Sequence, residues 1–324
     1  MTTSPVNPSA PTAPIAPPAP EGPAGVASGK RPEPVISMRG VKRIAGGRTI
    51  LDSIDLDVYP GETMVIMGGS GSGKSTMLRL MIGAIKPDAG TITMLGRNLC
   101  ETTERDMNEL RKRFGILFQS GALFNSMSIA DNIALMLHEH TDLPPEIIDF
   151  HVKLKLEAVG LLEHGHKFPS EISGGMKKRA GLARALALDP VILFYDEPSA
   201  GLDPVTSAQI DQLIISLSKK LNVTSIVVTH EMDSAFTIAD RMAMLDSGRM
   251  LKVASRDWYD ALRKIPADDA GSLGETDRLI RQFLRGDADG PLAERRSVEA
   301  FERALIGTTG QLLPTPSIEP TRSR

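Results

Sequence analysis

The chain has 324 residues, a formal net charge of −3 and a pI near 6.1. This charge balance offers no basic face for nucleic acid, so we expect no nucleic-acid partner. The single cysteine, Cys100, excludes an intrachain disulfide and fits a reducing compartment, and no window approaches the roughly 20 apolar residues of a membrane-spanning helix.

The composition divides the chain into three parts. Residues 1–34 are rich in Pro, Ala, Thr and Ser with almost no large apolar side chains, which predicts a disordered tail. The tail lacks an early basic region followed by an apolar core, so we expect no secretory signal. Residues 35–255 are predicted to form the main folded domain, and residues 256–324 a C-terminal extension that is helical in part.

The first β-structure is predicted between Val35 and Val58, where short alternating strands are separated by Gly46–Gly47. A hairpin that turns at Ser247–Gly248 is predicted near the end of the main domain.

The segment after the apolar run Met64–Met67 has the pattern G-x-x-x-x-G-K-[ST]. Its glycines let several backbone N–H groups point inward, and the helix that starts near Lys74 directs its positive dipole end at the same point. Lys74 adds a charge for the β- and γ-phosphates, and the Ser75 hydroxyl is placed to ligate Mg²⁺. We therefore predict a nucleotide phosphate site at Gly68, Gly69, Ser70, Gly71, Ser72, Gly73, Lys74, Ser75 and Thr76.

A phosphate loop alone leaves kinases, GTPases and motor ATPases open, so later segments must decide between these classes. A helical stretch is predicted over about residues 128–187. Within it a short segment precedes a basic, Ala-rich helix, and its hydroxyl and backbone N–H groups form a second anion site. The segment consists of Ser173, Gly174, Gly175 and Met176. The basic run at residues 177–179 is interpreted as a solvated or dimer-facing side of that helix.

The apolar run Val191–Tyr195 ends in two acids, Asp196 and Glu197. This pattern is typical of a parallel strand buried on both faces, with carboxylates at its C-terminal edge. Asp196 is predicted to hold Mg²⁺ through water, and Glu197 to polarise the attacking water as general base, a role worth about 10²–10⁴-fold in rate. In isolation the two acids would also suit the cap of the next helix, but a phosphate loop in the same chain favours catalysis.

These segments, in this order, resemble the ATP-binding cassette (ABC) family, whose signature reads L-S-G-G-Q before a basic helix. The resemblance continues through Gln119 in Phe-Gln-Ser, Asp203 in Ser-Ala-Gly-Leu-Asp and His230 in Val-Thr-His-Glu. It implies an α/β P-loop NTPase of the ABC ATPase fold, with a RecA-like parallel sheet core, an antiparallel β layer and a helical subdomain. It also implies ATP and Mg²⁺ as cofactors.

The resemblance assigns further roles. His230 is expected at the γ-phosphate, Gln119 at the metal and the attacking water, and Asp203 in communication between sites. Because one chain has two anion sites and already holds phosphate at Lys74, we expect a head-to-tail dimer in which the signature of one subunit closes on the nucleotide of the other. The partner is a second copy or a paired ABC ATPase.

The resemblance narrows further, to Mkl/MlaF-type ATPases of MCE-linked lipid transporters. Four segments carry it, residues 117–124, 131–134, 154–161 and 173–179. This implies a subunit that powers phospholipid transport with an MlaE-like permease and an MCE-domain protein. It implies a peripheral location on the cytoplasmic face of the inner membrane. The alternative within transport is the ATPase of a small-solute importer, for example for amino acids. A soluble, non-transport ABC ATPase is disfavoured, because the chain has one phosphate loop and lacks sustained heptads between that loop and the signature.

The C-terminal extension carries three apolar stripes at helical spacing, and residues 282–291 resemble the tail of the same subfamily. The stripes are Trp258, Leu262 and Ile265; Leu279, Ile280, Phe283 and Leu284; and Val298, Phe301 and Leu305. Two arrangements are open. The stripes fold back onto their own ATPase core, or, as the resemblance implies, they reach across the dimer.

One segment departs from the family pattern. Many ABC ATPases stack adenine on an aromatic residue just before a Gly-rich turn in the first β layer, and here Ile44 precedes Gly46–Gly47. Base–aromatic stacking is worth about 1–3 kcal/mol. We therefore expect weak discrimination between ATP and GTP, unless another side chain covers the base.

Overall fold

The computed structural model describes residues 32–266 and 268–287. The strands are β1 (Ile36–Ala45), β2 (Arg48–Val58), β3 (Thr63–Met67), β4 (Ala89–Met94), β5 (Arg97–Asn98), β6 (Phe114–Leu117), β7 (Ile192–Asp196), β8 (Thr224–Thr229), β9 (Arg241–Asp246) and β10 (Arg249–Ser255). The α-helices are α1 (Lys74–Met81), α2 (Glu104–Arg111), α3 (Ile129–His140), α4 (Pro145–Ala158), α5 (Gly174–Ala185), α6 (Pro204–Leu221), α7 (Met232–Ile238), α8 (Arg256–Lys264) and α9 (Glu275–Arg285). Short 3-10 helices lie at Leu162–His164, Pro169–Glu171 and Asp268–Ser272. Within this described part, no helix is long and apolar enough to span a bilayer.

Six strands form the central sheet in the order β10-β9-β3-β8-β7-β6. All neighbours are parallel except β10, which pairs antiparallel with β9. Every residue of β3 and β8 is buried, as expected for strands covered on both faces. Parallel strands end at one edge of the sheet, so the loop after β3, the acids at the end of β7 and the histidine after β8 meet there.

A second, antiparallel sheet has the order β2-β1-β4-β5. Its first two strands occupy the stretch predicted to alternate, and they are joined at Gly46 and Gly47, which have φ angles of 56° and 74°. Residues on one face of β1, Ile36, Met38 and Val41, are fully buried in the apolar core. The predicted combination of a parallel core and an antiparallel layer is confirmed.

Helices α3, α4 and α5 occupy the stretch predicted to be helical. The Ser128 hydroxyl caps α3 by accepting a hydrogen bond from the Asp131 N–H at 3.1 Å, and the Asp131 carboxylate accepts one from the Ser128 N–H at 3.3 Å. Helix α5 packs closely on β6, because a Cβ on Gly115 would lie 2.1 Å from the Ala185 carbonyl oxygen. Only glycine allows this approach, which brings α5 beside the strands that carry the site.

Strands β9 and β10 form the predicted hairpin. Ser247 and Gly248 have φ angles of 47° and 77°, as tight hairpin turns require. The Gly248 N–H donates to the Ser72 carbonyl oxygen at 3.0 Å, so the hairpin supports the phosphate loop. Helix α8 follows at once, and its Tyr259 hydroxyl donates to the Lys252 carbonyl oxygen at 2.8 Å.

The described residues form two compact units, one that runs to Ala261 and one that begins at Leu262. In the second unit the Arg281 Nε donates to the Ile265 carbonyl oxygen at 2.8 Å, and the guanidinium pairs with Asp287 at 3.3 Å. Three members of the stripe predicted on α9, Leu279, Ile280 and Leu284, are buried. The predicted tail up to residue 31 and the stripe at Val298, Phe301 and Leu305 lie outside the described residues, and the predicted domain boundaries stay predictions.

Candidate functional site

The phosphate loop, residues 68–73, has the predicted place between β3 and α1. Gly68 has a φ angle of 156°, and a Cβ there would lie 2.1 Å from the carbonyl oxygen of Leu245 in β9. Gly73 has a φ angle of 107°, and its Cβ would lie 2.7 Å from the Leu51 side chain. Gly68 is required because the loop passes so close to backbone, and Gly73 because side chains other than glycine rarely adopt its φ angle.

The N-terminus of α1 is suited to an anion. Gly73 offers no side-chain cap, and the first turn contains no acidic residue that would compete for the exposed N–H groups. Lys74 is only 8% exposed, and its Nζ donates to the carbonyl oxygens of Gly68 and Gly69 at 2.7 and 3.0 Å. The loop is thus an open cradle of donors with one buried ammonium group, which fits the phosphates of a nucleotide.

The acids at the end of β7, Asp196 and Glu197, lie close enough to this ammonium group to interact with its charge. Burial lowers the pKa of Lys74, and the charges of Glu197 and Asp196 oppose that shift. The pKa of Asp196 is raised, mainly by burial and next by the charge of Glu197, while Arg79, Lys178 and Lys74 oppose the shift. A carboxylate whose negative charge is destabilised by burial and by a second acid is a suitable neighbour for a divalent cation.

The predicted base, Glu197, and the predicted γ-phosphate residue, His230, contact each other. The Nδ1 of His230 lies 2.9 Å from the Glu197 Oε1, and the His230 backbone N–H donates to the Oε2 at 3.3 Å. The Glu197 side chain is 12% exposed and that of His230 59%. The histidine therefore fixes both carboxylate oxygens of the base and leaves its own outer face open to solvent.

The main chain of Glu197 is also constrained. Its φ angle is 49°, a left-handed conformation that side chains other than glycine rarely adopt. The Glu197 N–H donates to the Val228 carbonyl oxygen at 2.9 Å, and the Glu197 carbonyl oxygen accepts a hydrogen bond from Lys178 Nζ at 2.9 Å. The interpretation of residues 177–179 as a solvated or dimer-facing run is therefore wrong for Lys178, which is 5% exposed.

A pattern in the sequence marks the position of Lys178. Gly175, Lys178 and Leu182 are spaced as i, i+3 and i+7 on α5 and are all buried. This lysine therefore belongs to the face of the helix that packs inward.

Gln119 lies in the loop after β6 and is exposed. Because β6 pairs with β7, with Leu117 opposite Tyr195, this loop leaves the same sheet edge as Asp196. The predicted role of Gln119 at the metal and the attacking water stays a prediction.

The signature segment, Ser173–Met176, forms the start of α5. The Ser173 hydroxyl accepts a hydrogen bond from the Met176 N–H at 3.3 Å, and both Ser173 and Gly174 are exposed. Among the hydrogen bonds of residues 32–266, none joins this segment to the phosphate loop. Its expected role on a second subunit's nucleotide stays a prediction.

Asp203 caps α6. Its carboxylate accepts hydrogen bonds from the N–H groups of Val205 and Thr206 at 3.1 and 3.0 Å and from the Thr206 hydroxyl at 2.6 Å. The hydroxyl bond is the main reason that the pKa of Asp203 is lowered. The capping role is thus present in one chain, and communication between sites stays a prediction.

Ile44 stands near the end of β1 and is 41% exposed, beside the turn at Gly46–Gly47. The position is open enough to touch a base, but an aliphatic side chain offers only apolar contact. Weak discrimination between ATP and GTP stays our expectation.

Comparison with known proteins places this geometry in a family. Residues 51–200 match the ABC transporter family. The chain is 38% identical over 272 residues to the intermembrane phospholipid transport system ATP-binding protein MlaF of Haemophilus influenzae, covering 84% of this chain and 98% of that protein. It is 42% identical over 274 residues to MlaF of Escherichia coli K12, covering 84% of this chain and 96% of that protein.

A third relative carries a different name. The chain is 39% identical over 283 residues to the probable ribonucleotide transport ATP-binding protein mkl of Mycobacterium leprae, covering 86% of this chain and 78% of that protein.

Solved structures agree with the fold. CbiO1 from Clostridium perfringens, part of an ABC transporter complex, matches with a TM-score of 0.67 and 28% identity, covering 72% of this chain and 94% of that one. The dimeric structure of MJ0796, a bacterial ABC transporter cassette, matches with a TM-score of 0.63 and 28% identity, covering 68% of this chain and 98% of that one.

Proposed function

Because the chain belongs to the family of ABC transporter ATP-binding proteins, we propose that it is the ATP-hydrolysing subunit of a phospholipid transporter in the cell envelope. The observation that carries the catalytic part is the meeting of Lys74, Asp196, Glu197 and His230 at one edge of the parallel sheet. The assignment of phospholipid as the transported substrate rests on the MlaF relatives, whose length the chain covers almost completely.

ATP binding follows from the phosphate loop. The open N–H groups at the start of α1 would hold the phosphate oxygens, and the Lys74 ammonium, released from the carbonyl oxygens of Gly68 and Gly69, would reach the β- and γ-phosphates. Ile44 would contact the base.

Hydrolysis needs a water molecule in line with the γ-phosphate. Glu197 takes a proton from this water while the water oxygen forms a bond to the γ-phosphorus. The bond from that phosphorus to the bridging oxygen breaks, and ADP leaves with the bonding electron pair. His230 orients the Glu197 carboxylate through its Nδ1 and leaves its other ring nitrogen available for the γ-phosphate.

Ser75, Gln119 and Asp196 are the residues that would hold Mg²⁺. Among residues 32–266 and 268–287, no three His, Cys, Asp or Glu side chains cluster as a metal site, so phosphate oxygens and water would supply most ligands, as is usual for this ion. Bound Mg²⁺ neutralises phosphate charge and orients the group to be transferred.

The functional unit in this proposal is a dimer. Ser173 and Gly174 are exposed at the start of α5, so the Ser173–Met176 segment would close on the nucleotide of a second subunit. The dimeric structure of the similar MJ0796 cassette supports a dimer.

A groove beside Gln119 suits the permease. It has a volume of about 800 Å³ and is mainly apolar, and the basic residues Arg111, Lys112 and Arg184 outnumber the one acidic residue, Glu109, in its lining. Phe118 and Phe124 are 40% and 52% exposed within it, and the Arg184 guanidinium lies 5.9 Å from the Phe124 ring centroid. The occupant we propose is an amphipathic cytoplasmic helix of an MlaE-like permease with acidic flanks. Because Phe118 precedes Gln119 directly, docking there would reach the catalytic loop.

This assignment makes the chain a peripheral subunit on the cytoplasmic face of the inner membrane, in a complex that also contains an MCE-domain protein. The alternative cargoes are a small solute such as an amino acid, or the ribonucleotide in the name of the mkl relative.

The test is reconstitution of the chain with its permease and MCE-domain partner in phospholipid vesicles. We expect ATP-dependent movement of labelled phospholipid, abolished by Glu197→Gln. Movement of amino acid or ribonucleotide without phospholipid would contradict the lipid assignment.

For the groove, Phe124→Asp should abolish permease pull-down, whereas Phe150→Asp, at a 61% exposed position on α4 outside the groove, should not.

A further inference from the structure

Lys178 is a buried lysine whose ammonium group reaches the main chain of the proposed base. It is 5% exposed on α5, and its Nζ donates to the Glu197 carbonyl oxygen at 2.9 Å. Lysine is almost never buried to this degree unless it is paired. The helix that begins with the signature segment is therefore linked directly to the segment that carries Glu197.

The linked segment needs support. Glu197 has a φ angle of 49°, which is strained for a residue with a side chain and persists only when the surroundings hold it. The Glu197 N–H is held by Val228, and its carbonyl oxygen by Lys178 and by the Ala200 N–H at 3.3 Å. These bonds orient the peptide on both sides of the Cα atom and so determine where the carboxylate points.

The charges around Lys178 agree with this position. Burial lowers the pKa of Lys178, and the nearby charges of Glu231, Asp196 and Glu197 oppose that shift. The Lys178 ammonium group offsets the mutual repulsion of these three carboxylates.

We propose that Lys178 is a positioning residue that holds the main chain of Glu197 in its left-handed conformation and couples it to α5. The inference rests on the proposed role of Glu197 as general base and of Ser173–Met176 on the partner's nucleotide. Within one chain, Lys178 then connects the segment that binds the partner's ATP to the base that acts on the chain's own ATP. Movement of α5 when the partner's nucleotide site closes would therefore shift the Glu197 carboxylate at the chain's own nucleotide site.

The test uses the full-length chain and Lys178→Met, which keeps the apolar stem but removes the donor and the charge. We expect kcat for ATP hydrolysis to fall at least about tenfold, while KM and the ATP Kd change less than about twofold. ATP-driven dimerisation should persist, because nucleotide binding and the signature are untouched. Lys178→Arg, which keeps a charged donor, should retain more of the wild-type kcat than Lys178→Met.

Lys155→Met is the matched control. Lys155 is 6% exposed on α4 and pairs with Asp189, so this change also removes a buried ammonium group. It should lower thermal stability without lowering kcat. If Lys178→Met fails to fold, Lys178→Gln replaces it, with the same expected loss of kcat at unchanged KM.

A double-variant comparison separates positioning from general damage. In the Glu197→Gln background, adding Lys178→Met should not lower the residual hydrolysis rate further, because Lys178 acts through the base. The role of Lys178 would be overturned, with the base role of Glu197 unaffected, by either of two results. One is a wild-type kcat in Lys178→Met, and the other is an equal loss of kcat when Lys178→Met is added to the wild-type chain and to Glu197→Gln. Wild-type turnover in Glu197→Gln would instead overturn the base role, and the inference with it.

Discussion

The imidazole of His230 and the carboxylate of Glu197 form a hydrogen-bonded pair, with 2.9 Å between Nδ1 and Oε1. The two residues are separated by 33 positions in the chain and follow neighbouring strands, β8 and β7. Because the His230 backbone N–H also donates to the same carboxylate, the base has one orientation before nucleotide arrives. Preorganisation of this kind lowers the cost of reaching the transition state.

Glu197→Gln should separate binding from hydrolysis. The amide oxygen still accepts from His230, so ATP should bind with unchanged Kd, while turnover falls at least about 10²-fold because the amide cannot take a proton. Phosphate release and nucleotide titration measure the two effects. Glu139→Gln, on the exposed end of α3, should hydrolyse normally. Near-normal hydrolysis by Glu197→Gln would exclude the base role.

Lys74→Ala should weaken nucleotide binding itself. The Lys74 charge acts on bound ATP and on the transition state alike, so we expect the ATP Kd to rise by at least about tenfold together with a loss of kcat/KM. Calorimetric titration of ATP checks this, with circular dichroism to confirm the fold. An unchanged Kd would show that the ammonium group stays on the carbonyl oxygens of Gly68 and Gly69.

Ser173→Arg should block closure of the dimer. An arginine would occupy the space expected for the partner's γ-phosphate, so ATP binding to the monomer should be intact while ATP-driven dimerisation and hydrolysis are lost. Size-exclusion chromatography in ATP measures the association in the chain cut after Pro266, which lacks the extension expected to hold the dimer together without nucleotide, and phosphate release measures hydrolysis. Ser170→Arg adds the same side chain at an exposed position three residues earlier and should behave as wild type. If Ser173→Arg matches wild type in both assays, the composite site is wrong.

Asp211→Asn should change how stability depends on pH. Asp211 is 4% exposed, accepts a hydrogen bond from the Ser234 hydroxyl at 2.8 Å, and has one oxygen without a hydrogen-bond partner among the described residues. Burial raises the pKa of Asp211, so its folded pKa exceeds the unfolded value of about 3.9. Its contribution to stability is therefore complete below the unfolded pKa and is lost as pH rises through the folded pKa.

Urea unfolding between about pH 5 and pH 8 tests the sign. The unfolding free energy of Asp211→Asn, relative to wild type, should rise with pH. Asp203→Asn is the control, because the pKa of Asp203 is lowered and its contribution is lost only as pH falls below about 3.9. Its difference from wild type should stay constant over this range, and a flat difference for Asp211→Asn would contradict the prediction.

Truncation should reveal what the C-terminal extension does. A cut after Ser255 would remove Tyr259, whose hydroxyl bonds to Lys252, so the better cut follows Pro266. We expect a folded, ATP-binding chain that no longer stays dimeric without nucleotide and assembles poorly with its permease. Burial of about 200 Å² of apolar surface in the dimer, at roughly 25 cal/mol/Å², would contribute about 5 kcal/mol before ordering costs.

Analytical ultracentrifugation of the truncated chain and permease pull-down check this prediction. A second cut after Asp287 keeps every described residue and tests the stripe at Val298, Phe301 and Leu305 alone. Unchanged self-association and pull-down in both truncations would favour extensions that fold back on their own subunit.

Local chemistry made several features predictable from sequence. The phosphate loop depends on glycines at fixed spacing beside Lys74, the strand β7 on an unbroken apolar run, and the hairpin on Ser247–Gly248. Each is determined by backbone conformations and side chains within a few residues of one another.

Other features were decided only by the tertiary structure. The sequence alone does not reveal that His230 holds Glu197, because that contact depends on β7 and β8 being neighbours in the sheet. The charge of Lys178 suggested solvent, yet the packing of α5 against the sheet directs this side chain to a carbonyl group 19 positions away. The physical reason is that strand order and helix orientation minimise the apolar area exposed to water across the whole domain, and polar contacts between distant segments follow from that packing.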